Sequence, residues 1–143
     1  MVLDSNGKLD AVEGIIGYRF KERRLLQDAL FAAISENSKR LALLGNAALR
    51  LVCIAEGYEA SHNRGHINDI LAEKWNKEGI AKRGFEKGLD SFVVTHASCQ
   101  GKVPSGIMTT SVEAILGAVF YDSGRDIASV QNVMTVLGLE LRN

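Results

Sequence analysis

Pairs of titratable side chains at helical spacing are the first candidates for chemistry in this sequence. His62 and His66 are four residues apart, and two imidazoles on one helix face can bind a transition metal. Asp69 and Glu73 have the same spacing, and paired carboxylates can hold a hard cation. Both signals are weak, because no third ligand follows the histidines and Lys77 continues the acidic stripe as an ordinary helix pair. We interpret the histidines as connector residues and the acids as a solvated face.

Other reactive residue types stand alone. Cys53 lies in an apolar helical run and Cys99 in a loop, which favours neither a metal cluster nor a disulfide framework. His96 lies in the least periodic stretch, 94–106, which is the best candidate for an exposed functional loop. Asp122 precedes Ser-Gly and is typical of a helix-end turn rather than of a catalytic acid. No Ser-His-Asp arrangement, phosphate-cradling glycine loop or dinucleotide fingerprint is visible.

Composition limits the classes of function. The chain has 143 residues, and 17 basic side chains balance 17 acidic ones. Zero net charge excludes a strongly basic nucleic-acid module, although not a local basic patch. No apolar run approaches the ~18 residues of a membrane span, and the first residues lack the apolar core of a signal peptide. We therefore expect one domain over 1–143, an intracellular location and no membrane partner.

The secondary-structure elements that carry these residues are predicted to be helices. Apolar residues recur three and four apart and never in strict alternation, which predicts an all-α fold. The run from Lys39 is apolar over so broad a surface that it suits a central helix, and Gly117 permits close backbone approach in a later one. The apolar positions of the main predicted helices are Leu9, Val12, Ile15, Ile16; Leu25, Leu26, Ala29, Leu30; Leu41, Leu44, Ala48, Leu51; Ile67, Ile70, Leu71; Val112, Ile115, Val119; Val130, Val133, Met134.

Capping residues predict where the helices begin and end. Gly17 and Gly88 are expected to terminate helices as C′ residues. The run Asp122-Ser-Gly124 is expected to end the helix that carries Glu113, and Asp126 or Ile127 to open the last helix. Ser38 is expected to cap the long central helix, and one of 109–111 to cap the helix that carries Glu113. This places Glu113 near a helix start, where the helix dipole favours a carboxylate.

Two of these helices carry a family resemblance. The segment from Lys39 to Asn46, Lys-Arg-Leu-Ala-Leu-Leu-Gly-Asn, resembles the ribonuclease III signature Glu-Arg-Leu-Glu-Phe-Leu-Gly-Asp. Residues 110–124 resemble the family's Asp-x-x-Glu-Ala-x-x-Gly-Ala-x-Tyr-x-Asp-x-Gly. Residues 15–21 and 75–89 are similar to further family segments, so that the resemblance covers about 130 residues in collinear order, on the scale of one domain. It implies the helical fold of a ribonuclease III endonuclease domain.

The resemblance also implies where the active site lies. In the family, four acids on two packed helices hold Mg²⁺ ions that activate water for phosphodiester hydrolysis. Here the four positions are Ala42, Asn46, Thr110 and Glu113, and Lys39 replaces a further signature glutamate. Glu113 is thus the one retained carboxylate and a weak metal ligand, with Asn46 as its neutral companion.

Three functions stay open at this point. The preferred one is a catalytically impaired, dimeric RNA-related binding or interaction module that needs no cofactor. The first alternative is an active, double-strand-specific endoribonuclease that uses Mg²⁺ or Mn²⁺ at Glu113 and Asn46. The second is a structural component of a ribonucleoprotein such as a mitochondrial ribosome.

Dimerisation and RNA affinity follow from the same resemblance. Family domains form symmetric dimers through the signature helix, whose aromatic residue inserts into the partner, and Leu43 occupies that position here. The predicted interface consists of Leu41, Leu43, Leu44 and Ala47, although some of these must fill the protomer's own core. Few residues follow the last predicted helix, so we expect no double-stranded-RNA-binding domain, and any binding of duplex RNA is expected to be weak.

Overall fold

A computed structural model describes residues 5–96 and 99–139 of the chain. Within these ranges it has seven α-helices, a short 3-10 turn at Leu89–Ser91 and no strand, so the predicted all-α class is confirmed. The helices are α1 (Ser5–Ile16), α2 (Arg23–Leu30), α3 (Lys39–Glu59), α4 (Arg64–Glu73), α5 (Lys77–Glu86), α6 (Ser105–Asp122) and α7 (Ile127–Val136).

Helix α6 is the centre of the fold. Nearly every residue from Met108 to Val119 is buried, with Thr110 and Glu113 the half-buried exceptions. Its most extensive partner is α3, while α5 and α2 also pack against it and α7 covers both α3 and α6. The sequence predicts α3 as a central helix, but α6 takes that place because α3 buries one face and leaves the other exposed.

Several predicted helix ends are confirmed. Gly17, Gly88 and Gly124 follow α1, α5 and α6 in the left-handed conformation, with φ of 73°, 78° and 79°. Asp126 caps α7, since its carboxylate accepts a hydrogen bond from the Ala128 N–H at 3.2 Å.

Of two predicted N-caps, Ser38 lies at the predicted position before α3 but lacks a side-chain capping bond, and the one at 109–111 is wrong. Ser38 has a helical backbone and its side chain makes no capping bond; the hydroxyl of Ser35 instead accepts the Ser38 N–H at 3.2 Å. Helix α6 begins at Ser105, directly after Pro104, whose extended backbone and missing N–H favour a helix start at the next residue. Glu113 consequently lies in the middle of α6 rather than near its start, where the helix dipole acts little.

Asp122 has a structural role at the end of α6. Its carboxylate accepts hydrogen bonds from the Tyr18 hydroxyl at 2.8 Å and from the backbone N–H groups of Lys21 and Glu22 at 2.9 and 2.8 Å. Burial and this carboxylate raise the pKa of Tyr18, which keeps the phenol a donor. The three bonds hold the α1–α2 connection against the end of α6.

Helix α3 is long and apolar enough, by length and composition alone, to cross a membrane. The sequence-based expectation missed this because Arg50 interrupts its apolar run without making the whole helix polar. Core helices of soluble proteins pass the same test, and α3 packs one face against α6. The finding is weak evidence for a membrane span.

Candidate active site at the crossing of α3 and α6

Helices α3 and α6 touch through their backbones at two glycines. A Cβ atom on Gly45 would lie 1.6 Å from the carbonyl oxygen of Glu113, and one on Gly117 would lie 2.0 Å from that of Leu41. Such distances are far below any van der Waals contact, so neither position accepts a side chain without moving a helix. The close approach predicted at Gly117 is therefore present, and it sets the distance between the residues on either side.

Asn46 and Glu113 meet beside this crossing. The Asn46 Nδ2 donates a hydrogen bond of 2.8 Å to Glu113 Oε2, and both side chains are half-buried. The two residues are 67 positions apart in sequence, and the backbone contact of their glycine neighbours brings them together. The arrangement joins one carboxylate to one neutral amide.

The other predicted site residues contribute no ligand to this pair. Ala42 is buried and has no polar atom in its side chain. The Thr110 hydroxyl donates to the Gly106 carbonyl within α6 at 3.0 Å. The Lys39 ammonium pairs with Glu36 at 2.9 Å on the exposed side of the chain.

The contact between α5 and α6 involves two residues that the sequence analysis did not assign to the site, Lys77 of α5 and Thr109 of α6. The Thr109 hydroxyl, which is buried, donates to the Lys77 carbonyl at 2.6 Å and thereby attaches the start of α5 to α6. The side chain of Lys77 is exposed, and its charge acts on Glu113. The expected stripe of Asp69, Glu73 and Lys77 is wrong, because α4 ends at Glu73 and Lys77 begins the next helix.

A signal for this placement was present in the sequence. Asn76 caps α5, with its side-chain oxygen accepting the Gly79 N–H at 2.8 Å. An asparagine before Lys-Glu-Gly is a typical N-cap and would have placed Lys77 at a helix start.

The surroundings of Glu113 favour its neutral carboxyl form more than the surroundings of an exposed glutamate do. Burial raises the pKa of Glu113 above its ordinary value, whereas the Asn46 donor and the positive charge of Lys77 act in the opposite direction. Burial is the largest of these effects, so the net pKa is raised.

The residues at the crossing do not fit a Mg²⁺ or Mn²⁺ site. Such ions need several hard, anionic oxygen ligands, and the crossing offers one carboxylate already bonded to an amide, with an ammonium group nearby. Elsewhere in residues 5–96 and 99–139, no three His, Cys, Asp or Glu side chains converge in a way that could hold a metal.

The remaining candidates lie away from the crossing. The rings of His62 and His66 meet edge to face at 4.4 Å, in a groove lined also by Glu56, Glu59 and Lys74. Cys53 is buried in α3 and Cys99 is half-buried. The candidate loop 94–106 contributes no group to the crossing within its described part, and residues 97 and 98 lie outside the described residues.

The predicted interface residues point in different directions. Leu43 is 76% exposed and Ala47 is exposed as well, while Leu41 is half-buried and packs against the core. Leu44 is half-buried and lines a surface pocket of about 310 Å³ together with Leu25 and Tyr121. The role of these residues in an interface stays a prediction.

Comparison with known proteins identifies the fold family. No protein-family model matches the chain. Among curated relatives, the protein Ribonuclease 3 of Idiomarina loihiensis is 32% identical over 128 residues, covering 82% of this chain and 55% of that protein. Ribonuclease 3 of Pseudomonas aeruginosa is 31% identical over 154 aligned positions, covering 96% of this chain and 62% of that protein. The chain thus spans little more than half the length of the curated relatives it matches.

Solved structures agree with these relatives. The nuclease domain of ribonuclease III from Campylobacter jejuni superposes with a TM-score of 0.77 at 25% identity, covering 94% of this chain and 95% of that one. A second structure of the same domain, described for flexibility in a region involved in dimer formation, gives a TM-score of 0.75 at 27% identity and covers 91% and 94% of the two chains. This chain belongs to the ribonuclease III family and has the all-helical fold of its nuclease domain.

Proposed function

We propose that this chain is a ribonuclease III nuclease domain without metal-dependent cleavage activity, which acts as a dimeric RNA-related binding or interaction module. The observation that carries the proposal is the bond of 2.8 Å between Asn46 Nδ2 and Glu113 Oε2. It occupies an oxygen of the one carboxylate at the position where the family resemblance implies four acids. A neutral amide supplies none of the negative charge that offsets the dehydration of a divalent cation.

The electrostatics of the pair support the same conclusion. Phosphodiester hydrolysis of this type needs a metal-bound water whose pKa the ion lowers, and the ion must first be held by anionic ligands. The charge of Lys77, which acts on Glu113, repels a cation at the crossing. One carboxylate with an ammonium group nearby leaves the crossing without the negative charge that holds such an ion.

An active double-strand-specific endoribonuclease is the alternative function. Family membership and the retained Glu113 carboxylate on α6 support it. In that case Glu113 and Asn46 hold Mg²⁺ or Mn²⁺ with ligands that the described residues do not supply at the crossing. The two functions differ in whether cleavage occurs and whether it depends on Glu113.

A cleavage assay with matched variants separates them. The protein is incubated with long duplex RNA and Mg²⁺ or Mn²⁺, alongside Glu113→Ala and a triple variant with Ala42→Glu, Asn46→Asp and Thr110→Asp. We expect no cleavage by the unmodified protein and metal-dependent cleavage by the triple variant, which has four acids on the same scaffold. Cleavage by the unmodified protein that Glu113→Ala abolishes would establish the enzyme and overturn the proposal.

The dimer is a separate part of the proposal. Two observations support it: Leu43 is 76% exposed on the helix that the family resemblance assigns to the interface, and a nearby pocket has a lining that is partly apolar, from Leu25, Leu41, Leu44 and Tyr121, and partly polar, from Asp28, Asn37, Ser38 and Arg40. We expect light scattering to give about twice 15.5 kDa for the protein and 15.5 kDa for Leu43→Asp. A mass of 15.5 kDa for both would contradict the dimer and leave the cleavage question unaffected.

A further inference from the structure

The two histidines at the junction of α3 and α4 line a groove that the proposed function does not use. The groove has a volume of about 610 Å³ and is lined by side chains of both helices and by Gln131 of α7. It begins at the last turn of α3, about 15–20 Å along that helix from Asn46. A ligand in this groove is therefore separate from the crossing of α3 and α6.

Hydrogen bonds fix the backbone that carries both histidines. Helix α3 ends in a Schellman motif, in which Ser61 has a left-handed backbone with φ of 63° and the His62 N–H donates to the Gly57 carbonyl at 2.9 Å. Asn63 then caps α4, with its side-chain oxygen accepting the His66 N–H at 2.8 Å. Less conformational entropy is therefore lost when the two side chains bind a common ligand than in a flexible loop.

The separation of the two imidazole rings matches that of two imidazoles on one metal ion. The ring centres are 4.4 Å apart and the ring planes stand at 87° to each other. Two imidazoles bound through nitrogen at about 2.1 Å, with about 90° between the two bonds, have ring centres about 4.5 Å apart. An angle near 90° is typical of the octahedral and square-planar ions Ni²⁺ and Cu²⁺.

One ring nitrogen of the pair has no partner. The Nδ1 atom of His62 is buried and forms no hydrogen bond with any described residue. A buried polar atom without a partner is destabilising, and such atoms are rare in folded proteins. Because the ring lines the groove, a rotation about its Cβ–Cγ bond allows this nitrogen to bind an ion there.

The charges around the groove favour a cation. Glu56 and Glu59, in the last turn of α3, contribute two carboxylates to the lining, and Lys74 contributes one ammonium group. Glu56 accepts a hydrogen bond from Gln131 at 2.6 Å, which joins α7 to this wall of the groove. With neutral imidazoles, the lining carries more negative than positive charge and attracts a divalent ion.

We propose that His62 and His66 bind one divalent transition-metal ion that prefers imidazole, such as Ni²⁺ or Cu²⁺, in this groove. Among the described residues no three His, Cys, Asp or Glu side chains converge, so the protein supplies two ligands and water completes the coordination. Mg²⁺ and Mn²⁺ bind imidazole more weakly, so the groove differs in ion preference from a site built of carboxylates. The inference goes beyond the proposed function and depends neither on RNA cleavage nor on a dimer.

Calorimetric titration with Ni²⁺, on protein without a polyhistidine tag, tests the site. We expect one ion per chain and a Kd that rises at least about tenfold in His62→Gln and in His66→Gln, because each variant removes one of two ligands. The matched control is His96→Gln, which removes an exposed histidine from a different loop and should leave the Kd unchanged. Excess Mg²⁺ should not compete.

Nuclear magnetic resonance locates the bound ion. Paramagnetic Ni²⁺ broadens the amide signals of neighbouring residues, and we expect the signals of residues 57–66 to disappear first while those of 113–117 persist. If His62→Gln fails to fold, His66→Gln keeps the test, since His66 is exposed.

Three results would overturn the proposal. They are no Ni²⁺ binding at millimolar concentration, an unchanged Kd in the double variant His62→Gln/His66→Gln, and broadening centred away from the junction of α3 and α4. None of them bears on the cleavage assay or on light scattering, because those measurements use neither Ni²⁺ nor these histidines.

Discussion

The crossing of α3 and α6 contains two neighbouring contacts that differ in kind. At Gly45 and Gly117 the helices meet backbone to backbone, and a single added carbon atom would overlap a carbonyl oxygen. Directly beside them, Asn46 and Glu113 meet through half-buried side chains joined by a hydrogen bond. The family's backbone geometry is therefore present, whereas the side chains that the family resemblance implies for chemistry are replaced.

These two contacts show that the packing of the helices and the chemistry of the site have separate physical requirements. The helix approach depends on the absence of Cβ atoms and is lost with any substitution at the glycines. The side-chain contact depends on charge and hydrogen bonding, and an amide satisfies the carboxylate at Glu113 without disturbing the packing. The chain thus has the nuclease-domain fold with one hydrogen-bonded pair at positions where the family resemblance implies acids.

Substitution at the glycine crossing has the largest expected effect. Gly45→Ala places a Cβ against the Glu113 carbonyl and should lower the free energy of unfolding by about 3 kcal/mol. Gly106→Ala in α6 is the matched control, since a Cβ there meets nothing within 4 Å and should raise stability by up to about 1 kcal/mol. Urea unfolding measures both. Equal, small effects at the two positions would show that the helices do not meet as described.

Adding a charge to the side-chain contact has an intermediate effect. Asn46→Asp removes the donor from Glu113 and places a second carboxylate beside it, which should cost on the order of 1–3 kcal/mol at pH 7. Two adjacent carboxyls have raised pKa values in the folded state, so this loss should shrink as the pH falls through them. Because the pair now resembles a cation site, Mn²⁺ should raise the melting temperature of this variant and leave the unmodified protein unchanged.

Asn46→Ala separates charge from the lost hydrogen bond. It removes the same donor without adding an anion, and we expect neither the stronger pH dependence nor a response to Mn²⁺. Stabilisation of the unmodified protein by Mn²⁺ in equal measure would contradict the reading of the crossing as a poor cation site and would favour the active enzyme.

Sequence reasoning succeeded where local patterns dictate structure. The apolar spacing of three and four residues predicted the helices, and glycines at 17, 88 and 124 predicted their ends. The resemblance of two segments placed Asn46 and Glu113 on two facing helices, which the structure brings to 2.8 Å. Each of these inferences depends either on residues close together in sequence or on two motifs that the family resemblance already places on packed helices.

It failed where the outcome depends on tertiary contacts or on competing local signals. The threonines before Glu113 resemble caps, but α6 begins after Pro104, about one and a half to two turns earlier, and Thr109 then bonds to α5 instead. The influence of Lys77 on Glu113 follows from how α5 packs on α6. The two residues are far apart in sequence, so no local pattern predicts it. Hydrophobic periodicity also marks α3 as apolar on all sides without showing which face the fold leaves open.

Neutralising Glu113 has the smallest expected effect on stability. It tests whether the negative charge of Glu113 stabilises or destabilises the folded protein. Burial raises its pKa in the folded state, so the folded protein binds more protons than the unfolded chain between the ordinary value and the raised one. Stability therefore falls as the pH rises through this window and stays lower above it. Glu113→Gln carries no charge, keeps an oxygen that can accept from Asn46, and should be slightly more stable than the unmodified protein at pH 7 but not at pH 3.5.

Glu73→Gln makes the same chemical change at an exposed position on α4 and is the matched control. Unfolding free energies of the three proteins at the two pH values give the comparison. Lower stability of Glu113→Gln at pH 7 would mean that the bond from Asn46 and the charge of Lys77 outweigh burial, and that the protein favours an anion at this position. The sign of this small difference therefore shows whether burial or the two partners dominate at Glu113, and the measurement requires neither RNA nor metal.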